Sequence, residues 1–353
     1  MSESLILETA GATSTLCFGN ASALLGQLIA GREYIAISDQ NVASLYPEYF
    51  DAQRSIILPP GEAAKTLQQV EMAYERLYAL GCDRSTLLLG VGGGTVSDFT
   101  GFVAATYLRG LSCGFVPTTL LAQLDAAVGG KNGINLGTAK NMIGTIRQPE
   151  FVIIDSHFLA SLPALEFTSG LGELLKYALL EGGTLFEATQ EYLQAAAGRS
   201  AAGLAEDAVA ANRLSALIRA AVAVKVRIVG NDEFERGSRK FLNLGHTLGH
   251  AIELLEGIPH GLAVIKGLLF AINFSERYAG LDTVAAARCR QLLTASGQDL
   301  QLRADPEKVA GLLLHDKKMG RNKLDFICLS AVGRPVIRPT APEEILDLLQ
   351  RSR

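Results

Sequence analysis

The sequence predicts an α/β N-terminal half with a Rossmann-like, mostly parallel sheet, followed by a mainly α-helical half. Three observations carry that expectation. Short apolar runs alternate with helical spacings up to about residue 158. One run, Thr86 to Val91, is apolar without alternation, as a strand covered on both faces must be. Polar or glycine-rich segments follow the strand ends, where open α/β sheets bind ligands.

Taken in order, Tyr34 to Ser38 reads as a core strand with Asp39 at its polar end. Ser55 to Leu58 is a second strand, closed by Pro59-Pro60-Gly61. Thr66 to Leu80 has helical spacing, with Val70, Ala73, Leu77 and Leu80 on one side. The strand Thr86 to Val91 runs into Gly92-Gly93-Gly94, and a helix is expected from Thr95 to Leu108. Cys113 to Val116 and Phe151 to Ile154 complete the strands of this half. The domains are placed at 1–158 and 159–353. Helices are expected at 171–180, 206–229, 247–255, 263–278, 284–293, 306–314 and 342–349, and the Ala-rich stretch near 195–211 also reads as helix. Asp325 to Leu329 is the one strand expected there.

Composition narrows the class. Of 353 residues, 48% are hydrophobic and 19% charged, which excludes a mostly disordered chain. The formal charge of −4 argues against bulk nucleic-acid binding, though a local patch can still take a small anion. Five scattered cysteines without a CxxC read as reduced thiols of a cytoplasmic protein. No basic start precedes an apolar run, and no apolar run reaches membrane-span length, so neither a secretory signal nor a membrane partner is expected.

Gly92-Gly93-Gly94 lets the backbone turn tightly and approach a phosphate, with the following helix offering unpaired N–H groups. The ordinary dinucleotide fingerprint does not fit, because its third glycine falls on Thr95 or Ser97. A tight structural turn accounts for the same glycines. Asp98, early in that helix, either complements the helix dipole or faces a ligand. Lys131 and Lys140, with Asn135 and Asn141, make a pocket for a phosphorylated or carboxylated substrate, or an ordinary exposed loop. Arg109 is a third anion contact, or the basic end of a helix.

Three of the five histidines fall close together: His246, His250 and His260. On a helix His246 and His250 share a face, and Glu173 in an otherwise apolar helix supplies a carboxylate. Together they suit a Zn²⁺ site. The competing reading is a buried salt bridge from Glu173 to Lys176 beside two core histidines. Arg239 and Asn243 are spaced to reach the same site.

Six blocks then carry a resemblance: 92–110, 117–137, 140–149, 170–182, 231–253 and 315–318. They include GGGTVSDFTGFVAATYLRG, PTTLLAQLDAAVGGKNGINLG, GLGELLKYALLEG and NLGHTLGHAIE. From about residue 30 to about 335 the chain resembles the 3-dehydroquinate synthases, within the sugar-phosphate cyclases. The resemblance implies an NAD-binding α/β domain, a helical metal domain and a homodimer. It implies that Asp39, Glu62, Lys65, Gly92, Gly93, Gly94, Asp98, Thr118, Thr119 and Lys140 serve NAD. Glu173, His246 and His260 would hold Zn²⁺ or Co²⁺, with His250 a polar neighbour instead of a ligand. Lys131, Lys176, Lys225, Arg239 and Asn243 would act on the substrate together with His250. Asp125, Asn141, Lys317 and Lys318 would bind it, and Arg109 would reach its phosphate from the neighbouring subunit. The implied substrate is a small phosphorylated sugar acid, 3-deoxy-D-arabino-heptulosonate 7-phosphate. The implied reaction is transient oxidation, phosphate elimination, re-reduction and intramolecular aldol closure.

Two positions depart from the common pattern. Ser97 replaces a glycine before the aspartate, and Leu262 stands where His-Gly-Glu is usual. Sister cyclases acting on other sugar phosphates are the nearest alternatives, followed by a metal-dependent NAD polyol dehydrogenase and a metabolite-binding protein without turnover.

Overall fold

A computed structural model describes residues 3–29, 31–137, 139–315 and 324–351. Lys317 and Lys318 lie outside the described residues. The chain forms two compact units, neither continuous in sequence. One comprises Met1–Pro163, Ala201–Glu206 and Lys225–Phe234; the other comprises Ala164–Ser200, Asp207–Val224 and Glu235–Arg353.

The first unit holds β1 (Glu3–Glu8), β2 (Thr13–Phe18), α1 (Ala21–Ile29), β3 (Tyr34–Asp39), α2 (Gln40–Leu45) and β4 (Ser55–Leu58). It continues with α3 (Leu67–Ala79), β5 (Leu87–Gly92), α4 (Gly94–Thr106), β6 (Ser112–Pro117), β7 (Lys131–Leu136), β8 (Ala139–Ile146) and β9 (Phe151–Ile154). Seven strands form one sheet in the order β1-β2-β9-β6-β5-β3-β4, parallel except for the β1–β2 hairpin. Every residue of β5 and β9 is buried, as their unbroken apolar runs require. The chain leaves β3 toward β4, then returns to β5 and moves the other way through β6. The strand order therefore reverses between β3 and β5, which is where open α/β sheets leave a ligand crevice.

The segment read as a pocket or an exposed loop is neither a loop nor irregular. β7 and β8 pair antiparallel as a separate two-stranded sheet packed near α4. The N-terminal hairpin also escaped the pattern analysis. β1 is short and mostly exposed at the sheet edge, so its alternation is weak.

The remaining helices are α5 (Ala164–Glu181), α6 (Gly183–Ala196), α7 (Ala201–Glu206), α8 (Ala208–Asn231), α9 (His246–Glu256), α10 (His260–Tyr278), α11 (Thr283–Thr294), α12 (Pro306–His315) and α13 (Pro342–Arg351). The Ala-rich stretch is not one helix, because the chain breaks on either side of α7. The single strand expected at 325–329 is half of a hairpin, β10 (Leu324–Ala331) with β11 (Arg334–Thr340). Two prolines in β11, Pro335 and Pro339, hid it from the sequence pattern.

In the second unit, glycines bring α5, α9 and α10 into close contact. A Cβ on Gly172 of α5 would lie 2.9 Å from the Gly261 Cα of α10, and one on Gly249 of α9 would lie 3.3 Å from the Val264 Cα. Such approaches let short side chains on three helices meet.

Candidate active site

At the carboxyl edge of the parallel sheet, the turns collect the residues expected to serve a dinucleotide. Asp39 ends β3 and caps α2, accepting from the N–H groups of Asn41 and Val42. Gly92 ends β5, and Gly93 is the cap of α4. A Cβ on Gly92 would lie 2.6 Å from Val96, so packing of the new helix demands this glycine. The first turn of α4 has no side-chain cap and stays half-buried; Val96 and Ser97 donate their N–H groups to the Gly93 carbonyl, and the N–H groups of Gly94 and Thr95 lie ahead of them at the start of the helix, where an anion can approach. Thr118 follows β6 and donates its N–H to the Gly92 carbonyl at 2.9 Å. Thr119 accepts from the Ala122 N–H at 3.1 Å and opens the next turn.

A polar network lies in the same unit. Lys65 is buried, and its Nζ donates to Asp98 Oδ2 at 2.7 Å and to the Asn141 side-chain oxygen. The Asn141 N–H reaches Asn135 Oδ1 at 2.9 Å, and Asn135 donates to Glu62 Oε2 at 2.8 Å. Asn141 takes φ 54, a left-handed conformation that asparagine tolerates. Burial pushes the Asp98 carboxyl up to about 6, against the opposing pull of Lys65. One fifth of that side chain stays open to water, which limits how far burial alone can act. Lys131 and Lys140 are exposed on the hairpin, and it is Lys65, instead of either, that meets Asn141. Lys225, in the last turns of α8, pairs with Asp125 Oδ1 at 2.8 Å and also donates to the Asp125 carbonyl at 2.6 Å. Arg109 projects from a strained turn in which Leu108, Arg109 and Gly110 have φ 49, 67 and 125.

The second unit contains the metal-type cluster. Glu173 and Lys176, one turn apart on α5, are both 1% exposed and form an ion pair. Glu173 Oε1 faces His246 Nε2 at 3.1 Å and His260 Nε2 at 3.5 Å. Neither carboxylate oxygen has a hydrogen bond of regular geometry. Burial works to raise the Glu173 carboxyl, but Lys176 and then His246 overcome it and hold it well below the usual range. His246 Nδ1 lies 3.2 Å from the Leu244 carbonyl, and His260 Nδ1 lies 2.9 Å from Glu253 Oε2. Each ring thus engages an acceptor through Nδ1 and turns Nε2 inward. One ligand atom each from Glu173, His246 and His260 falls within 4.8 Å of the others.

This arrangement fits a divalent cation. It joins an ionised carboxylate to two imidazole nitrogens, with the carboxylate oxygens short of regular hydrogen bonds. The salt bridge and the histidine cluster, weighed as alternatives in the sequence, are present together.

His250 lies beside the cluster, its ring centroid 5.5 Å from His246 and 5.7 Å from His260. It is not among the three convergent groups. The protein packed around its ring, and then the two neighbouring imidazoles, push it down to about 4, although its outer edge is exposed. Arg239 is 2% exposed, and Asn243 donates to Glu235 Oε1 at 2.7 Å.

Sequence reasoning missed Glu253 and Glu235. Glu253 lies one turn beyond His250 on the face of α9 that carries both histidines, so the spacing 246, 250, 253 was the available signal. Glu235 had none, because its role follows from a φ of 57 that folds it back toward Asn243. The hydroxyl of Ser97, which stands in place of the common glycine, donates to the Gly94 carbonyl at 3.0 Å within its own helix.

Comparison with known proteins places these features in a family. A family model described as 3-dehydroquinate synthase N-terminal matches residues 55–169, and one described as 3-dehydroquinate synthase C-terminal matches residues 170–319. The 3-dehydroquinate synthase of Pyrococcus abyssi is 38% identical over 300 residues, covering 84% of this chain and 85% of the relative. That of Lactiplantibacillus plantarum is 36% identical over 333 residues, covering 91% and 89%. The solved structure of 2-deoxy-scyllo-inosose synthase complexed with carbaglucose-6-phosphate, NAD⁺ and Co²⁺ is similar over 99% of both chains, with a TM-score of 0.84 and 28% identity. With both family models matched in chain order, the chain belongs to the 3-dehydroquinate synthase family.

Proposed function

We propose that this chain converts 3-deoxy-D-arabino-heptulosonate 7-phosphate to 3-dehydroquinate and phosphate with NAD and a divalent metal, Zn²⁺ or Co²⁺. The single observation that carries the reading is the convergence of Glu173, His246 and His260 within 4.8 Å in a chain of this family. The reaction oxidises one substrate hydroxyl transiently, eliminates phosphate, reduces the ketone again and closes the ring by an aldol step.

The bound metal would supply Lewis-acid polarisation of substrate oxygens, and NAD a reversible hydride acceptor. Glu173, His246 and His260 hold the metal. Asp39, Glu62, Lys65, Asp98, Thr118, Thr119 and Lys140 bind NAD, with the pyrophosphate at the Gly92–Gly94 turn and the uncapped start of α4. Lys131, Lys176, Lys225, Arg239, Asn243 and His250 act on the substrate, and Asp125, Asn141, Lys317 and Lys318 bind it. Lys176, Lys225 and Arg239 are nearly fully buried, an unusual state for cations and one suited to a substrate carrying carboxylate and phosphate. Their chief work is to orient that substrate and to stabilise developing negative charge. Arg109, on its strained turn, serves the site of a second copy in a homodimer. The five free thiols support a cytoplasmic location, and no helix among the described residues is long and apolar enough to cross a membrane.

The test follows phosphate release and NADH absorbance together, with substoichiometric NAD⁺ and Zn²⁺ or Co²⁺. The expected result is many phosphates released per NAD, 3-dehydroquinate formed and no NADH accumulating. A protein that binds metal and NAD yet leaves this substrate untouched, while turning over a hexose or another heptulose phosphate, is a sister cyclase. Net NADH from polyols indicates a dehydrogenase.

A further inference from the structure

We infer that Glu253 is a positioning residue for the metal centre: it sets the ring of His260 so that Nε2, and not Nδ1, faces Glu173. The inference rests on the proposed reading of Glu173, His246 and His260 as ligands.

The two histidines are held differently. His246 opens α9, and its Nδ1 lies 3.2 Å from the Leu244 carbonyl just upstream. That acceptor is backbone and arrives with the turn itself. His260 is the first residue of α10, preceded by Pro259 as its cap. A side chain at this position has no preceding helical turn to pack against. Its Nδ1 meets Glu253 Oε2 of α9 at 2.9 Å instead, across the short connection that begins at Gly257. The Glu253 side chain is 17% exposed and that of His260 30%, so the contact is partly shielded from water.

A carboxylate accepting from Nδ1–H fixes the ring orientation and the tautomer, and it raises the basicity of the opposite nitrogen. It also puts a second negative charge one imidazole away from the ion. Both effects favour a divalent cation over an empty cluster. Among the described residues the metal-type group is Glu173, His246 and His260, and Glu253 stands outside it as a partner of one member.

The experiment measures Co²⁺ and Zn²⁺ affinity of the metal-stripped full chain by competition with a chromophoric chelator, and records the ligand-field bands of the Co²⁺ form. Glu253→Ala is expected to weaken binding by about 10- to 100-fold and to shift the Co²⁺ bands. Glu253→Gln, which keeps an acceptor at the same reach, should recover most of the affinity and the parent's bands. A merely structural role for Glu253 would not produce this split.

Should Glu253→Ala melt early in its metal-free form, Glu253→Asp serves instead. It keeps the charge but withdraws the acceptor by one methylene, and it should lose affinity in the same direction. Parent-like affinity and bands in a folded Ala or Asp variant overturn the proposal. His246→Ala is the control for the underlying reading. If it abolishes Co²⁺ binding while Glu253→Ala does not weaken it, only the role of Glu253 fails. If it binds Co²⁺ like the parent, the ligand assignment itself fails.

Discussion

Each unit gathers buried charge, but the two gatherings differ in what completes them. In the first unit Lys65 finds its counter-groups within the chain, Asp98 at 2.7 Å and the Asn141 oxygen, and the network closes through Asn135 onto Glu62. In the second, Glu173 lies against Lys176 on one side and presents its other oxygen to two imidazole nitrogens, without a regular hydrogen bond. A closed network rigidifies the groups it joins. A convergent set of donors is stable only when a cation, or a proton, joins it. The same few residue types thus make a self-satisfied polar network in one place and a convergent set of metal-type donors in another, according to whether the polar atoms satisfy each other.

Removing the central carboxylate should produce the largest effect. Glu173→Ala removes the carboxylate with which Lys176, buried at 1% exposure, forms its ion pair. That should cost about 3–5 kcal/mol in urea unfolding of the metal-free chain. Metal binding should disappear with it. Unchanged stability would mean that Lys176 is served by other groups and that the second unit is not built around this pair.

The equivalent cut in the first unit should be milder. Lys65→Met leaves Asp98 with a fifth of its side chain in water and free to take a proton. The expected loss is about 1–3 kcal/mol, as for other hydrogen bonds to charged groups. NAD affinity, read by fluorescence titration, should fall while Co²⁺ affinity stays at the parent's value. A fall in both would break the contrast between the units.

Protonation sharpens the contrast further. Folding raises the Asp98 carboxyl from its ordinary 3.8 to about 6. The folded chain therefore prefers the neutral acid. The stability so contributed is full below about pH 3.8 and is lost as the pH rises through about 6. Asp98→Asn is neutral at every pH, so it should gain on the parent between about pH 4 and 7. Urea titrations across that window check the sign. A difference that does not change with pH would mean that Lys65 offsets burial, and one of opposite slope that Lys65 governs this carboxyl.

Much of this was legible because the informative features are local. Thr86 to Val91 announces a buried strand by composition alone, and histidines are rare enough that three near one another stand out. Helices α9 and α10 begin within three residues of their expected starts, since glycine and proline mark both ends of their connection. What sequence could not supply depends on distant pairing. Lys65 and Asn141 are 76 residues apart, and nothing in either neighbourhood names the other. The hairpin β7–β8 was hidden because its polar residues read equally well as pocket or loop. Glu253 was visible only as one more acid on a helix until α10 folded back and set His260 against it.

Ser97 gives the smallest effect and the finest discrimination. Its position, between the glycine turn and Asp98, suggests a hydroxyl near the cofactor. In the fold that hydroxyl points back along α4 and donates to the Gly94 carbonyl at 3.0 Å. Ser97 is also buried, at 3% exposure. Ser97→Gly, which restores the common family residue, should therefore cost only about 0.5 kcal/mol through the lower helix propensity of glycine. NAD affinity should stay unchanged, because the hydroxyl is already spent within the helix. A measurable change in NAD affinity at constant stability would assign Ser97 to the cofactor surface. It would also show that the closed character of the first unit's polar groups stops short of the start of α4.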